Sequence, residues 1–453
     1  MKTIFITISR GLIARNILQT DVFSILKKAG LRIVLLTPAY QDKRFLEEFK
    51  DNNVFIERLI EPKLSFFEKI FSLIHRGLIY NSTIDIHWRY GVFSPKETTY
   101  FNYIVKKIIF KPLSLFPFLR EVARWFDLKL FSSKLHSDLF EKYNPSLVFA
   151  TSVAFDGDSA VLKEARSRHI PTVGMAKSWD NFCKNTFRVK VDKLIVWSEF
   201  MKEQAIEYQN YSPQNIYISG IPQLDHYTNR EKIQNRQDFF QKIGADPDKR
   251  LILFGSEGRY FQESPEVVEI LNSFISGKLL NESCQILIRP HIAHNDDIKR
   301  FELFRGKPNI ILDDSFQPAQ AFKDPTDYSK EQMVHLATSL YHCDVLIASA
   351  STLILDGAAF DKPMINIGFD GFQKKPYSQS IIRQYDTAYY KGIVDTDAAW
   401  IVKSQEELLQ ALNSYLADPA IRSQEREELR QKFCYKIDGK SGERIAEYIL
   451  KNL

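Results

Sequence analysis

Short apolar runs alternate with amphipathic segments along most of the chain, a pattern typical of parallel β-sheets covered by helices. Near the start, apolar runs at 3–8 and 31–38 predict two strands. The segment 14–30 between them carries apolar residues at helical spacing and ends at Gly30, so it predicts one helix. A β-α-β unit of this kind implies parallel strands joined by a right-handed crossover.

The same alternation fills most of the remaining chain. It is interrupted by an aromatic segment at about 60–140 and by a polar segment at 220–250, which we interpret as the crossing between two domains. Further strands are predicted at 146–152, 171–176, 193–198, 215–220, 250–256, 284–290, 309–314, 344–350 and 364–369. Amphipathic patterns at 404–419 and 442–452 predict closing helices.

These elements predict an α/β protein with two Rossmann-like domains facing a cleft, because 453 residues exceed one ordinary core. We place an N-terminal acceptor domain at 1–228, with a helical, aromatic and basic insertion at about 60–140. A nucleotide-binding domain follows at 229–436. The last segment, 437–453, is expected to be a helix that packs back on the first domain.

The composition fits a globular protein, with 44% hydrophobic and 26% charged residues. The sequence has no apolar run of 18 or more residues, which argues against a membrane-spanning helix. Few residues separate the first Lys from the first Arg, so the N-terminus predicts a strand and not a signal peptide. The four cysteines are scattered, which favours a reduced cytoplasmic location and argues against a zinc site.

The positive charge is concentrated in residues 61–135, where Lys and Arg exceed Asp and Glu by six, against a net +5 for the whole chain. The same window is rich in aromatic residues. One interpretation is peripheral contact with an anionic membrane surface at the inner face of the cytoplasmic membrane. The other is a helical insertion that packs its aromatics inward and exposes its lysines. Nucleic acid is a poorer partner, because no binding motif accompanies the charge.

The stretch ASASTLILDGAAF, at 348–360, carries the clearest candidate chemistry. A helix that begins directly after a buried strand presents free N–H groups, and small hydroxyl residues there let a phosphate approach. Ser349, Ser351 and Thr352 are therefore candidates for a nucleotide diphosphate, and Asp356 for the ribose hydroxyls. The alternative is that Ser351 only caps the helix and Asp356 is a solvated acid.

The order S-T-x-x-x-D, a short helix and then KPMINIG resembles the donor site of GT-B-type glycosyltransferases. It is especially similar to the superfamily that includes UDP-N-acetylglucosamine 2-epimerase and the CDP-glycerol glycerophosphotransferases. In that superfamily a serine-rich turn holds the diphosphate and an acid five residues on, usually Glu, holds the ribose. Asp356 is one methylene shorter than that acid. The segments GIPQLDHY at 220–227 and DGKSGERIAEYI at 438–449 also resemble elements of these families.

Two further loops of the second domain match this resemblance. LIRPHIAHND, at 287–296, resembles an R/K-P-H-P strand end that faces the donor; Arg289 could neutralise the diphosphate. His291 could stabilise the departing phosphate or bind the base. LFGSEGRY corresponds to the first loop of the domain, so Gly255, Ser256 and Glu257 are expected to contact the donor. Without the resemblance, Arg289 could equally be a salt-bridged residue and His291 a surface histidine.

In the first domain, Ser9, Arg10 and Gly11 occupy the loop after the first strand, where such folds place acceptor or phosphate contacts. Transfer to a hydroxyl group also needs a base in the cleft.

Asp158 and Asp180 are the candidates for this base, with Asp156 behind them. Asp156 and Asp158 could instead be helix-start charges, and Asp180 could cap a turn. The segment S-W-D-N around Asp180 resembles one in bacterial surface-polysaccharide transferases.

The leading hypothesis is a glycosyltransferase that moves a sugar from a nucleotide sugar to a surface polysaccharide or lipid-linked glycan. Alternatives are a CDP-polyol phosphotransferase, a sugar-nucleotide 2-epimerase and a non-catalytic assembly scaffold. No D-x-D motif in a strand context is evident for a metal-bound diphosphate, so no metal and no cofactor beyond the nucleotide co-substrate is expected.

Overall fold

The structure, a computed structural model, describes residues 1–93, 95–132, 134–184, 187–294 and 296–453. Its strands are β1 Thr3–Thr7, β2 Arg32–Thr37, β3 Val54–Arg58, β4 Leu147–Ala150, β5 Thr172–Met175, β6 Lys193–Val196, β7 Ile216–Ile218, β8 Arg250–Gly255, β9 Cys284–Arg289, β10 Ile310–Leu312, β11 Val345–Ala348, β12 Met364–Ile367 and β13 Trp400–Val402.

The α-helices before β8 are α1 Gly11–Leu18, α2 Asp21–Lys28, α3 Lys43–Phe49, α4 Phe66–Gly77, α5 Ser82–Tyr90, α6 Tyr100–Leu113, α7 Phe118–Leu130, α8 Ser137–Tyr143, α9 Asp156–Ser167, α10 Asn181–Lys184, α11 Glu199–Gln209, α12 Asp225–Thr228 and α13 Arg236–Ile243. Those after it are α14 Ser264–Ser276, α15 Lys330–His342, α16 Leu353–Ala359, α17 Ala388–Val394, α18 Gln405–Ala417, α19 Ser423–Leu429 and α20 Ser441–Lys451.

The strands form two sheets in which every pairing is parallel. The first sheet has the order β3-β2-β1-β4-β5-β6-β7 and the second the order β10-β9-β8-β11-β12-β13. Both orders reverse at one point, between β1 and β4 in the first sheet and between β8 and β11 in the second. Ligands of doubly wound sheets bind at such reversal points. The predicted α/β class with two Rossmann-like sheets is confirmed.

Helices cover both faces of each sheet, which explains the continuous apolar runs in the sequence. Ile4, Phe5 and Ile6 are consecutive in β1 and all three are fully buried. Leu346 and Ile347 in β11 are fully buried in the same way. Strands of this kind are fixed in the sheet by burial on two sides.

The single helix predicted at 14–30 is wrong, because the structure has two helices there, α1 and α2. The Thr20 hydroxyl donates to the carbonyl oxygens of Asn16 and Ile17 at 3.0 and 3.1 Å and so bonds the end of α1. The apolar spacing continues across the break because both helices pack on the same sheet. Two edge strands, β3 and β13, were not predicted from the sequence.

Helices α4–α7 lie between β3 and β4, in the segment predicted as an insertion. The alternative in which the aromatics of this segment pack inward is wrong for many of them, since eighteen large apolar side chains between residues 66 and 135 are exposed. No helix in the described part of the chain is both long and apolar enough to cross a membrane.

The C-terminal helix α20 packs against α2 of the first domain. Its start is held by Asp225, whose carboxylate accepts from the N–H groups of Ser441 and Gly442 at 3.0 and 2.7 Å. A carboxylate at a helix start satisfies free N–H groups and the positive end of the helix dipole. The C-terminal helix is therefore held against the domain in which the chain begins.

Candidate active site

The loops that follow the strands of the two sheets meet across one cleft. The N–H of Gly11, after β1, donates to Oδ1 of Asp324, after β10, at 2.7 Å. The Lys177 ammonium, after β5, lies 3.7 Å from Oδ2 of the same carboxylate. The carboxyl ends of both sheets therefore face each other, and the two reversal points lie on opposite walls.

The predicted loop Ser9–Gly11 lies at the reversal point of the first sheet. A Cβ at Gly11 would lie 2.6 Å from the carbonyl oxygen of Thr326, so glycine is required by close approach of the second domain. Arg10 is committed to an ion pair with Glu61 at 2.8 Å, and Glu61 also pairs with Lys323. This loop joins the two domains as well as lining the cleft.

Asp158 lies beside this loop at the start of α9 and is fully buried. Its Oδ1 accepts from the Thr7 hydroxyl and, at 3.3 Å, from the N–H of Ser152; Ser9 lies against the same carboxyl group. Burial raises the pKa of Asp158 to about 6, against the opposing effect of the Thr7 hydrogen bond. Such a carboxyl group can accept or release a proton near neutral pH.

The opposite wall holds the predicted donor residues at the reversal point of the second sheet. The Ser351 hydroxyl accepts from the N–H of Leu353 at 3.2 Å, Thr352 is exposed, and Ser349 is buried beneath them. Leu353 packs against Gly255, and a Cβ at that position would lie 2.4 Å from Cδ2 of Leu353. The absence of a side chain at Gly255 leaves room for Leu353, at the start of α16, beside the end of β8.

Glu257 faces this helix start and lies against Ser351. Burial raises the pKa of Glu257 to about 8, so its carboxyl group is protonated at neutral pH and can donate a hydrogen bond. The neighbouring Ser256 is buried and its hydroxyl accepts from the N–H of Gly258 at 3.1 Å. A neutral acid in this position does not repel a phosphate.

Asp356 is buried and connected to the first domain. Tyr227 donates its hydroxyl to Oδ1 of Asp356 at 2.7 Å, and the Gln223 amide donates to the same oxygen at 3.3 Å. Burial raises the pKa of Asp356 in spite of these bonds. Among the described residues no side chain donates to Oδ2, so that oxygen keeps its capacity to accept. The solvated acid considered from the sequence is wrong.

Arg289, at the end of β9, is buried and paired with Asp313 at 2.9 Å. Asp313 also binds Nε2 of His335 at 3.1 Å, and the two partners, against the opposing effect of burial, lower its pKa. Asp313 is therefore ionised and orients the guanidinium of Arg289. Arg289 lies within electrostatic range of Asp356, as does Arg15 of the first domain.

Arg15, in α1, was not predicted from the sequence. Its side chain is buried and donates to two neutral oxygens, Oδ1 of Asn16 at 3.0 Å and Oε1 of Gln223 at 3.2 Å. In the part of the chain that the structure describes, it forms no ion pair. Burial lowers the pKa of Arg15, which shows that its charge is poorly compensated. An anion in the cleft would supply the missing compensation.

His291 is neutral in the cleft, because burial, with His294 and Lys177 nearby, lowers its pKa to about 3. Its Nδ1 accepts from the N–H of Ala293 at 3.3 Å, so the proton resides on Nε2. The ring stacks on His294 at a centroid distance of 4.1 Å. His291 can thus donate one hydrogen bond to an anion.

Asp180 pairs with Lys184 at 2.9 Å. Burial would raise the pKa of Asp180, but the ammonium group overrides it and the pKa is lowered, so the carboxylate is a weak base. Lys184 lies near Glu257 of the opposite wall. The preceding Trp179 is buried in aromatic contacts and is a packing residue.

The remaining predicted acid, Asp156, pairs with Arg188 at 3.4 Å. The structure therefore brings the predicted residues together in one cleft and adds three cations, Arg15, Lys177 and Lys184. Arg15 is a polar residue in an otherwise apolar helical segment, whereas Lys177 and Lys184 lie in the polar segment around Asp180. The described residues contain no group of three or more His, Cys, Asp or Glu side chains placed to hold a metal ion. A separate depression of about 530 Å³, between α11 and α17, is lined by none of the predicted residues.

Several solved structures resemble this fold over most or all of their length. The UDP-GlcNAc 2-epimerase from Neisseria meningitidis, bound to UDP-GlcNAc, is 13% identical with a TM-score of 0.56, and the match covers 100% of both chains. The UDP-bound MnaA of S. aureus is 13% identical with a TM-score of 0.56, covering 100% of this chain and 98% of that one. The wall teichoic acid polymerase TagF is 12% identical with a TM-score of 0.51, covering 100% and 88%.

These likenesses confirm the GT-B-like fold. No curated protein sequence matches the chain. The sequence model of one family, described as CDP-Glycerol:Poly(glycerophosphate) glycerophosphotransferase, matches residues 166–451, which is more than half of the chain. The predicted superfamily is confirmed, and the prediction of a transferase is confirmed at that level. The chain belongs to the CDP-glycerol:poly(glycerophosphate) glycerophosphotransferase family.

Proposed function

We propose that this protein transfers a polyol phosphate of the glycerol phosphate class from a CDP-activated donor to a hydroxyl group of a cell-envelope polymer. The family match supports the reaction class. The observation that carries the proposal is the buried guanidinium of Arg15, which has no ion pair among the described residues and lies near Arg289 in the cleft. A diphosphate between the two domains would neutralise it.

In this reaction an acceptor hydroxyl oxygen attacks the β-phosphorus of the CDP-polyol. The bond from that phosphorus to the bridging oxygen breaks, CMP leaves with the electron pair, and the hydroxyl proton passes to a base. Arg15 and Arg289 bind the phosphate oxygens. The Nε2–H of His291 donates a hydrogen bond to the leaving-group oxygen on which negative charge develops. The two cations make a metal ion unnecessary in this proposal.

Asp158 is the base in this proposal, because its pKa of about 6 suits proton transfer at neutral pH. Asp180 is the weaker candidate, since its carboxylate is committed to Lys184. Ser351, Thr352 and the free oxygen of Asp356 bind the nucleotide side of the donor. The acceptor polymer enters along the first domain.

The second candidate is the transfer of a sugar from a nucleotide sugar, in which the bond from the anomeric carbon breaks and a nucleoside diphosphate leaves. The likeness to an epimerase bound to UDP-GlcNAc supports this candidate through the fold. Epimerisation itself is less favoured, because the likeness to the epimerase, at 13% identity, concerns the fold alone, whereas the family model that matches the chain is that of a phosphotransferase. A non-catalytic scaffold would use the same cleft for binding alone.

The test separates these reactions by their leaving groups. Purified protein is incubated with a glycerol phosphate oligomer and either CDP-glycerol or UDP-N-acetylglucosamine, and released nucleotides are separated by chromatography. CMP release that depends on the oligomer and is lost in Asp158→Asn supports polyol phosphate transfer. UDP release supports sugar transfer instead. Unchanged release by Asp158→Asn would remove Asp158 as the base, and binding without release would support the scaffold.

A further inference from the structure

Helix α7 has its polarity reversed relative to an ordinary surface helix. Its inward side chains are charged: Arg120, Arg124 and Asp127 are all buried. Its outward side chains are large and apolar, with Trp125 56% exposed and Phe118 61% exposed. The exposed apolar residues of α7 are Phe118, Val122, Trp125, Phe126 and Leu130.

The buried charges fix this orientation. Asp127 accepts from Arg188 at 2.7 Å and from Lys163 at 2.6 Å. Arg124 donates to the carbonyl oxygen of Phe187 at 2.9 Å, and Arg120 donates to that of Leu78 at 2.9 Å. Rotating α7 to bury its aromatic residues would break these bonds and leave charges without partners. The apolar side of the helix is therefore directed outward by its own sequence.

Helices α4 and α6 extend this surface, since α4 packs against both α6 and α7. We name the combined exposed apolar side chains of α4, α6 and α7 the outer helical face. From α4 and α6 it contains Phe66, Phe67, Ile70, Tyr100, Phe101, Val105, Ile108, Ile109 and Leu113. Of the 26 large apolar side chains that are exposed in the described part of the chain, 18 lie between residues 66 and 135. Such a concentration marks an interaction surface.

The charge around this face identifies the chemistry of the partner. Lys69, Lys111 and Lys129 are exposed on α4, α6 and α7, each within one helical turn of exposed apolar side chains. The window 61–135 as a whole carries six more positive than negative charges. Apolar side chains interspersed with lysines match an anionic lipid surface, where the rings enter the acyl boundary and the ammonium groups meet the phosphates.

We infer that the outer helical face docks this protein on an anionic lipid bilayer. The segment that carries this face is bonded to the second domain at the end of α5. Arg383 of the second domain donates to the carbonyl oxygens of Tyr90, Gly91 and Val92 at 3.0–3.1 Å. The segment that carries the outer helical face is therefore bonded to the second domain as well as to the first, and this inference does not depend on which group the cleft transfers.

Vesicle sedimentation tests the inference with the full chain. Binding is measured to phosphatidylcholine vesicles with and without about 30 mol% phosphatidylglycerol, at low and high salt. We expect binding to the anionic vesicles that weakens with salt. The variant Ile108→Asp/Trp125→Asp should partition at least about tenfold less, because it places two charges in the docked face. The matched control Leu279→Asp/Leu303→Asp, with exposed residues of the second domain, should bind as wild type does.

A second measurement does not depend on how the double variant folds. Trp125 is exposed, whereas Trp88, Trp179 and Trp197 are buried. Brominated phosphatidylcholine in the anionic vesicles should therefore quench the emission of wild type, and Trp125→Phe should lose this quenching. Absent quenching, or equal binding of Ile108→Asp/Trp125→Asp and its control, would overturn the inference. A further outcome would also overturn it: wild type does not bind vesicles, and light scattering shows a dimer that the variant Ile108→Asp/Trp125→Asp dissociates. The face would then join two copies of the chain.

Discussion

Replacing Arg15 with methionine should weaken donor binding without weakening the fold. The Arg15 side chain is 7% exposed and, within the part of the chain that the structure describes, its hydrogen bonds go only to the amide oxygens of Asn16 and Gln223. Methionine fills a similar volume and removes a buried charge that forms no ion pair among the described residues. The loss of two hydrogen bonds and the relief of desolvation should nearly cancel, so the free energy of unfolding should change by no more than about 1 kcal/mol.

Donor binding should respond quite differently. A charge-assisted hydrogen bond to a phosphate contributes about 1.5–3 kcal/mol, so its loss should raise the Kd by about 10- to 150-fold. The measurement is calorimetric titration with CDP-glycerol and, separately, with UDP-N-acetylglucosamine. The donor that binds the wild-type protein should bind Arg15→Met more weakly, whichever donor it is, because both donors carry a diphosphate.

Arg124→Met is the matched control, because Arg124 is also a buried arginine but lies in α7, away from the cleft. It donates to the carbonyl oxygen of Phe187 at 2.9 Å and to Oε1 of Gln209 at 3.1 Å, and both of these buried hydrogen bonds would be lost. The free energy of unfolding, measured in urea, should fall by about 2–4 kcal/mol while the Kd stays unchanged. If Arg15→Met behaves like this control, with lower stability and unaltered donor affinity, the role assigned to Arg15 is refuted.

Burial raises the pKa of Glu257 to about 8 from a usual 4.5, so between those values the folded state holds a proton that the unfolded state releases. Wild-type stability should therefore decrease as pH rises through this window, and urea unfolding of Glu257→Gln should lack that decrease. Asp127→Asn should cost about 3–5 kcal/mol in urea unfolding, because it leaves buried cations without their carboxylate, whereas the exposed Glu121→Gln should cost less than about 1 kcal/mol. Gly11→Ala should increase the radius of gyration in X-ray scattering, because its Cβ would meet the carbonyl oxygen of Thr326 at 2.6 Å. EDTA should leave donor affinity unchanged, since arginine side chains supply the positive charge in the proposed site.

The sequence predicted most of the fold because its strands are buried on both faces. Runs such as that of β11 are short, apolar and bounded by polar residues, so each strand can be recognised without knowing which strands lie beside it. Two of the four edge strands, β3 and β13, escaped prediction for the opposite reason. In β3 only Val54 is buried while Phe55 is exposed, and neither apolar continuity nor alternation marks such a strand.

The loops of the site could be predicted because they directly follow recognisable strands. Ser351 was assigned to the donor wall because it follows a buried strand, and Glu257 because its loop resembles that of a known superfamily; the structure places the two residues against each other. What chain order could not supply is the ionisation of these groups. Whether Glu257 is protonated or Asp180 is ionised depends on burial and on Lys184, which are properties of the assembled cleft.

Arg15 and α7 show the same limit of sequence reasoning in two forms. A polar residue within an apolar helical pattern is ordinarily assigned to the solvent side, yet Arg15 is buried where the two domains meet. In α7 the apolar residues would be assigned to the core, yet Arg124 and Asp127 occupy it, because Phe187 and Arg188 offer them partners from a distant part of the chain. Periodicity identifies two sides of a helix, but only the available partners decide which side is buried. Where a charged side faces inward, the outward apolar side is free for an external ligand, and in this protein that reversal connects the packing of α7 to the proposed membrane surface.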